Sequence, residues 1–217
     1  MDYAAARRQM VDSQVRPNNV PDIDIQNALL AVPREEFLPS DWRAQAYVER
    51  ELAYAPGRSL VTARDFAKLL MAAHPSKSDL TLAPACGGGY VVAVLATLTD
   101  MVVAVEDNSA LATAAEETLS ALGVANAAVV EGDPSKGAPD QGPFDLIFIA
   151  QAVEETPEHL LSQLADGGRL AAIERADEVA RGVVITRTGA AYSKSRRFDA
   201  TARIVPEGFE AKKAFAF

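Results

Sequence analysis

Leu80-Thr-Leu-Ala-Pro-Ala-Cys-Gly-Gly-Gly-Tyr90 is the stretch on which the reading of this chain turns. A short apolar run breaks into three consecutive glycines and re-enters an apolar helical pattern from Val91 to Leu98. Glycine lets the main chain take positive φ and approach a ligand closely, and the helix that follows aims its unpaired N–H groups at whatever is bound. That is how a nucleotide-type cofactor loop is built; a plain turn between strand and helix is the alternative. A dinucleotide fingerprint asks for small residues at its first, third and sixth places, here Ala85, Gly87 and Tyr90. The bulk of Tyr90 argues against that fingerprint.

Outward from the loop, residues 81–173 alternate between short β-branched or apolar runs and longer Ala/Leu-rich helical ones, the pattern of βαβ units and a parallel sheet. Strands are predicted over 80–83, 101–105, 127–130, 144–149 and 169–173, with helices over 90–98, 109–122 and 157–164. Asn108 is placed to cap the second helix and Gly123 to stop it. Right-handed crossovers set the strand C-termini along one edge, where ligands of open α/β sheets bind.

Three acidic or small-residue clusters fall at those strand ends. Val105-Glu106-Asp107 lies about 17 residues after Gly89, where a carboxylate can accept hydrogen bonds from both hydroxyls of a ribose. Glu106→Ala is then expected to weaken cofactor binding at least tenfold without unfolding the protein. Glu131-Gly132-Asp133-Pro134 ends the third strand in the same way and can read an exocyclic adenine amine, and two acids disfavour a 2′-phosphorylated cofactor. The fourth strand runs into Ala150-Gln151-Ala152, small residues that leave room for the reacting end of a ligand.

The flanks complete the architecture. Residues 1–75 read as a helical cap, with helices over 3–15, 22–31 and 62–73, on a cofactor-binding core at 76–175. In residues 176–217, runs at 182–187 and 191–198 flank Thr188-Gly189-Ala190 as a hairpin, and 211–217 alternates as a closing strand. The expectation is one α/β domain over 1–217, Rossmann-like, with a central mostly parallel sheet flanked by helices and a C-terminal antiparallel hairpin.

Composition sets limits on partners. The 217 residues carry a formal net charge of −9, which offers no reason to bind nucleic acid or an anionic membrane. Lys194, Arg196 and Arg197 read as a solvated strand face. A single cysteine, Cys86, allows neither an intrachain disulfide nor a metal site with two thiolates, and His74 and His159 lack ligand spacing, so no metal is expected. The opening residues lack an apolar signal core, and no run approaches the ~20 apolar residues of a spanning helix. A cytoplasmic protein is expected.

Ala85-x-Gly87-x-Gly89 resembles the Gly-x-Gly-x-Gly loop of S-adenosylmethionine-dependent methyltransferases, with its first glycine replaced. Glu106, Gly132-Asp133, Phe144-Asp145-x-Ile147 and Leu164-x-x-Gly-Gly-Arg-Leu170 follow the order of the protein-L-isoaspartate O-methyltransferase family. More specific are Arg8-Gln-Met-Val11 with Gln14, Ala31-Val-Pro-Arg-Glu-Glu-Phe-Leu-Pro39, Ala46-Tyr47-x-Glu49 and Gly57-Arg-Ser-Leu-Val-Thr62, which resemble that family's N-terminal segments. The resemblance covers nearly the whole chain.

It implies methyl transfer from S-adenosylmethionine to the carboxylate of L-isoaspartyl or D-aspartyl residues in damaged proteins or peptides, leaving S-adenosylhomocysteine. Carried onto this sequence, it places Ala85, Cys86, Gly87, Gly89, Tyr90, Glu106, Asp107, Gly132, Asp133 and Ala150 at the cofactor, and Ser59 and Thr62 at the acceptor. Two departures stand out. Where the family has a serine for the substrate carboxylate this chain has Val61, and the usual acid-x-Gly of the loop is Ala83-Pro84-Ala85. Two further readings therefore stand beside the first. One is a methyltransferase for another acceptor, with Arg58 at a glutamine position favouring an anionic group; the other is a non-catalytic homologue that kept the fold.

Overall fold

The computed structural model describes residues 1–211. Helix α1 (Tyr3–Met10) starts where the Asp2 carboxylate accepts the Ala5 N–H, then widens into a π segment, Val11–Val15, and a 3-10 turn, Arg16–Asn18. Helix α2 (Ile23–Ala31) is capped in the same way by Asp22. A 3-10 turn at Arg34–Phe37 and the short α3 (Ser40–Arg43) follow.

Next comes an element that the helical reading of residues 1–75 lacks. Strands β1 (Leu52–Ala55) and β2 (Arg58–Leu60) pair antiparallel around Pro56-Gly57, with Gly57 at φ +62°. Four and three residues are too few for a period of two to be recognised, so only the Pro-Gly turn marks the hairpin in the sequence. Helix α4 (Ala63–Ala73) closes the N-terminal part, with Thr62 at its N-cap and His74 at φ +48° after its end.

The core runs β3 (Leu80–Pro84), α5 (Tyr90–Leu98), β4 (Met101–Glu106), α6 (Ser109–Ala121), β5 (Ala127–Glu131), β6 (Phe144–Val153), α7 (Glu158–Ser162), β7 (Leu164–Ala176), β8 (Val179–Thr188) and β9 (Ala191–Ala200). The seven strands β3 to β9 form one sheet in the order β5-β4-β3-β6-β7-β8-β9. The first five of that order pair in parallel, and β8 and β9 are added antiparallel. This is the expected mostly parallel sheet with its C-terminal hairpin. Asn108 caps α6, accepting from the Ala110 and Leu111 N–H groups, and Gly123 follows the helix at φ +72°. Strands β6 and β7 outrun their predicted lengths at the cost of α7, and the closing strand expected over 211–217 lies outside the described residues beyond Ala211.

Parallel strands buried on both faces explain the continuous apolar runs of β4 and β6. On one face Met10, Val15, Leu29, Phe66 and Leu70 of the N-terminal part share a core with Val92 and Leu95 of α5 and Phe148 of β6. The other face gathers Leu82, Val105, Ile147, Leu160, Leu170 and Phe209. Phe66, Leu69 and Leu70 of α4 are at most 1% exposed, and burying each such side chain stabilises the fold by about 1.5–3 kcal/mol. Helix α4 is thereby packed against β6, β7 and β8 on that face of the sheet. Among the described residues, no helix is long and apolar enough to cross a membrane.

Candidate cofactor and acceptor site

The glycine loop sits where the sheet order turns, between β3 and its neighbours β4 and β6. Pro84 ends β3, so its missing donor leaves the ladder intact. Ala85, Gly87 and Gly89 all take positive φ, at +54°, +57° and +94°. For Ala85 the left-handed region costs about 1–2 kcal/mol, which the surrounding packing must outweigh. A main-chain bond from Cys86 N–H to the Val105 carbonyl ties the loop to β4, and one from Gly132 N–H to the Glu106 carbonyl ties the end of β5 to it.

The close approach that these glycines permit is used by the chain itself, through one side chain and one main-chain carbonyl. A Cβ on Gly87 would lie 2.0 Å from the Tyr54 hydroxyl oxygen, and one on Gly88 would lie 2.4 Å from the Phe37 carbonyl oxygen. The Gly88 N–H donates to the Tyr54 hydroxyl at 3.0 Å. Beside it, Arg58 Nε donates to both oxygens of Glu106, at 2.9 and 3.1 Å, and Arg58 Nη2 donates to Asp107 at 2.5 Å. Glu106 also accepts the N–H groups of Gly87 at 2.6 Å and Asn108 at 3.1 Å.

The Glu106 side chain is 0% exposed and that of Arg58 4%, against 43% for Asp107. Burial pushes the Tyr54 phenol well above its ordinary range. Arg58 is held above its ordinary value: its carboxylate partners outweigh the opposing effect of burial.

Two readings from the sequence change here. Glu106 stands at the end of β4 as expected, but it is a buried, paired carboxylate on which Arg58 depends, so the fold is not indifferent to its removal. Arg58 turns toward Glu106 and Asp107, so its charge is engaged there and argues for no anionic acceptor. Tyr54 reaches the loop without any local signal in the sequence to announce it, and Phe37 is marked there only as part of the family-like segment 31–39.

The candidate acceptor end lies under Arg34. A cavity of about 20 Å³, room for about one water, is lined by Ser59, Val61, Cys86, Tyr90, Ala150 and Gln151 among others. The Ser59 hydroxyl lies 2.7 Å from Glu51 Oε1 and 2.9 Å from Gln151 Oε1, two acceptors for one proton. Gln151 Nε2 returns a bond to the Ser59 carbonyl at 2.9 Å. Thr62 is placed differently: its hydroxyl accepts the Asp65 N–H at 3.1 Å and caps α4. Val61 is buried, and its carbonyl accepts from Arg34.

Tyr90, too bulky for a dinucleotide fold, packs its ring against Phe37 and Phe66 with the Arg34 guanidinium 4.9 Å above it. Its hydroxyl is buried and finds no hydrogen-bond partner among the described residues. Burial also pushes the Cys86 thiol up, reinforced by the Glu106 charge. Past the end of β5, Asp133 accepts from Ser135 and its carboxyl is held below the usual range, chiefly by that hydroxyl. Among the described residues, no group of three or more His, Cys, Asp or Glu is placed to hold a metal ion.

A glycine loop between β3 and α5, an acid at the end of β4 and this strand order define a class I methyltransferase fold. Residues 6–202 match the family model "Protein-L-isoaspartate(D-aspartate) O-methyltransferase (PCMT)". The chain belongs to that family. A Koribacter versatilis protein-L-isoaspartate O-methyltransferase is 36% identical over 168 residues, 77% of this chain and 76% of the relative. One from Methanoregula boonei is 34% identical over 190 residues, 88% of each chain. Among solved structures, a protein-L-isoaspartate O-methyltransferase superposes with a TM-score of 0.81 at 22% identity, over 94% of this chain and 67% of that one. A Plasmodium falciparum protein of that description, in complex with S-adenosyl-L-homocysteine, gives 0.77 at 17% identity, over 96% and 99%. At those identities the likeness speaks for the fold.

Proposed function

We propose that this chain methylates the carboxylate of L-isoaspartyl or D-aspartyl residues in damaged proteins and peptides, with S-adenosylmethionine as donor. The observation that carries the reading is the place of the Val32–Phe37 segment, which sets this family apart from other methyltransferases. Here that segment roofs the glycine loop, with the Phe37 carbonyl against Gly88 and Arg34 over Tyr90. The reading takes residues 1–217 as a single unit whose N-terminal part covers the core.

The polar groups of the loop fit the donor in kind: the Gly87 and Gly88 N–H groups, the Glu106 carboxylate, and Gly132 with Asp133 on the next strand end. The space over Gly87 does not fit while Tyr54 fills it. Once bound, the donor supplies an electrophilic methyl on a sulfonium. A carboxylate acceptor is already an anion at neutral pH, so the protein need not remove a proton. Its task is alignment and exclusion of water, and alignment can be worth roughly 7–11 kcal/mol in the best cases. Ser59 and Gln151 line the acceptor cavity together with Arg34 and Tyr90, and once the cavity opens beyond the room for one water they would orient the carboxylate there, beside the small Ala150.

Incubation with labelled S-adenosylmethionine and an isoaspartyl peptide beside its aspartyl control tests the reading. Label on the isoaspartyl peptide alone is expected; label on neither, from protein shown to bind the product, would reject it.

A further inference from the structure

We propose that the β1–β2 hairpin is a built-in occupant of the nucleoside site, with Arg58 and Tyr54 meeting the groups that a bound S-adenosyl ligand would meet. This rests on the reading that such a ligand binds at the glycine loop. A carboxylate at the end of β4 would accept hydrogen bonds from two ribose hydroxyls; Glu106 accepts them from the Arg58 guanidinium, at 2.9 and 3.1 Å. A loop N–H would donate to an oxygen of the ligand; the Gly88 N–H donates to the Tyr54 hydroxyl, which also fills the space over Gly87. Donors are met by an acceptor and the acceptor by donors, so the hairpin matches the site in charge and in hydrogen bonding.

The hairpin needs to release only its tip, Tyr54 to Arg58: Leu52 and Leu60 at its base are buried in the core, and Ser59 stays bonded to Gln151 beside the acceptor cavity. The two strands pair only with each other, in a two-stranded sheet separate from the main one. A lone hairpin of this size has little stability of its own, so its contacts with the rest of the protein decide where it sits. Arg58 also lines an open cleft of about 410 Å³ that Glu207 and Glu210 share, so a displaced guanidinium has both water and carboxylates beside it. A ligand must compete with the seated hairpin, and its apparent affinity falls by the fraction of molecules in which the hairpin has moved. Arg58 thereby sets the cofactor affinity of this chain.

Calorimetric titration of the full chain with S-adenosylhomocysteine tests this. Arg58→Gln removes the guanidinium, and Tyr54→Phe removes the oxygen over Gly87. A charge-assisted hydrogen bond is worth about a tenfold to hundredfold change in affinity, so Arg58→Gln is expected to bind at least tenfold more tightly than the wild type. Tyr54→Phe should bind more tightly too. Equal binding by wild type and Arg58→Gln, including none by either, overturns the proposal.

Should Arg58→Gln fail to fold, hydrogen exchange of the wild-type hairpin decides. Millimolar S-adenosylhomocysteine is expected to speed exchange in residues 54–58, and unchanged or slower exchange there overturns the proposal. Tighter binding by Arg58→Gln without label on an isoaspartyl peptide would reject the proposed acceptor and leave the hairpin's role standing. Methylation without any gain in binding would do the reverse.

Discussion

Arg58 and Glu106, 48 residues apart, form a buried ion pair in which one guanidinium nitrogen donates to both carboxylate oxygens. The pair ties the β1–β2 hairpin to the end of β4 directly over the glycine loop. It makes the residue expected to hold a ribose a part of the fold as well.

Removing one partner of a buried pair leaves the other charge unmet, which typically costs 3–5 kcal/mol. Asp107 remains beside Arg58, so Glu106→Ala should fall at the low end, about 3 kcal/mol, in urea denaturation. A midpoint within error of the wild type would show that the pair bears no structural load. Asp107→Asn, on an exposed partner, should cost less than about 1 kcal/mol.

Thr62 supplies a hydroxyl in the segment expected to hold the acceptor, yet that hydroxyl caps α4. Thr62→Ala should lose about 1 kcal/mol in thermal melts, and Thr62→Ser should recover most of it. If the alanine variant melts like the wild type, the cap is dispensable.

Arg34 is 2% exposed and donates to the carbonyls of Ala46 at 2.9 Å and Val61 at 2.6 Å while lying over Tyr90. A lysine cannot span two carbonyls in the plane of a guanidinium. Arg34→Lys should therefore cost about 2 kcal/mol, as one buried acceptor goes unmet. Retained stability in chemical denaturation would mean that the signature arginine is held for another reason.

Cys86 has its thiol raised by burial, and a group raised in the folded state loses its stabilising contribution as pH climbs. Between the unfolded value near ~8.5 and the higher folded one, only the unfolded chain ionises, so unfolding becomes easier with rising pH. Stability should decline above about pH 8.5, and Cys86→Ala should flatten that decline. Native protein should also resist alkylation by iodoacetamide until denatured, as read by mass spectrometry. Rapid native labelling would contradict the burial.

Much of the fold was legible because its signals are local. Strand-length apolar runs, the Asn108 cap, the Gly123 stop and the proline at the end of β3 each follow from a few neighbouring residues, and the sheet bears them out. The hairpin at Leu52–Leu60 was not legible, since its strands are shorter than the pattern that reveals strands. The same limit applied to the site. Arg58 drew attention as a departure from the family, but nothing around it in the chain said which way it would turn.

By itself the sequence determined the α/β class, the position of the loop, the acid at the end of β4 and the family, since these depend on periodicity, on glycine placement and on motifs read in order. Only the tertiary structure decided what covers the loop. That Tyr54 and Arg58 sit on Gly87, Gly88 and Glu106 is a match of charge and shape between distant segments, and such a match exists only once the core beneath them has been packed.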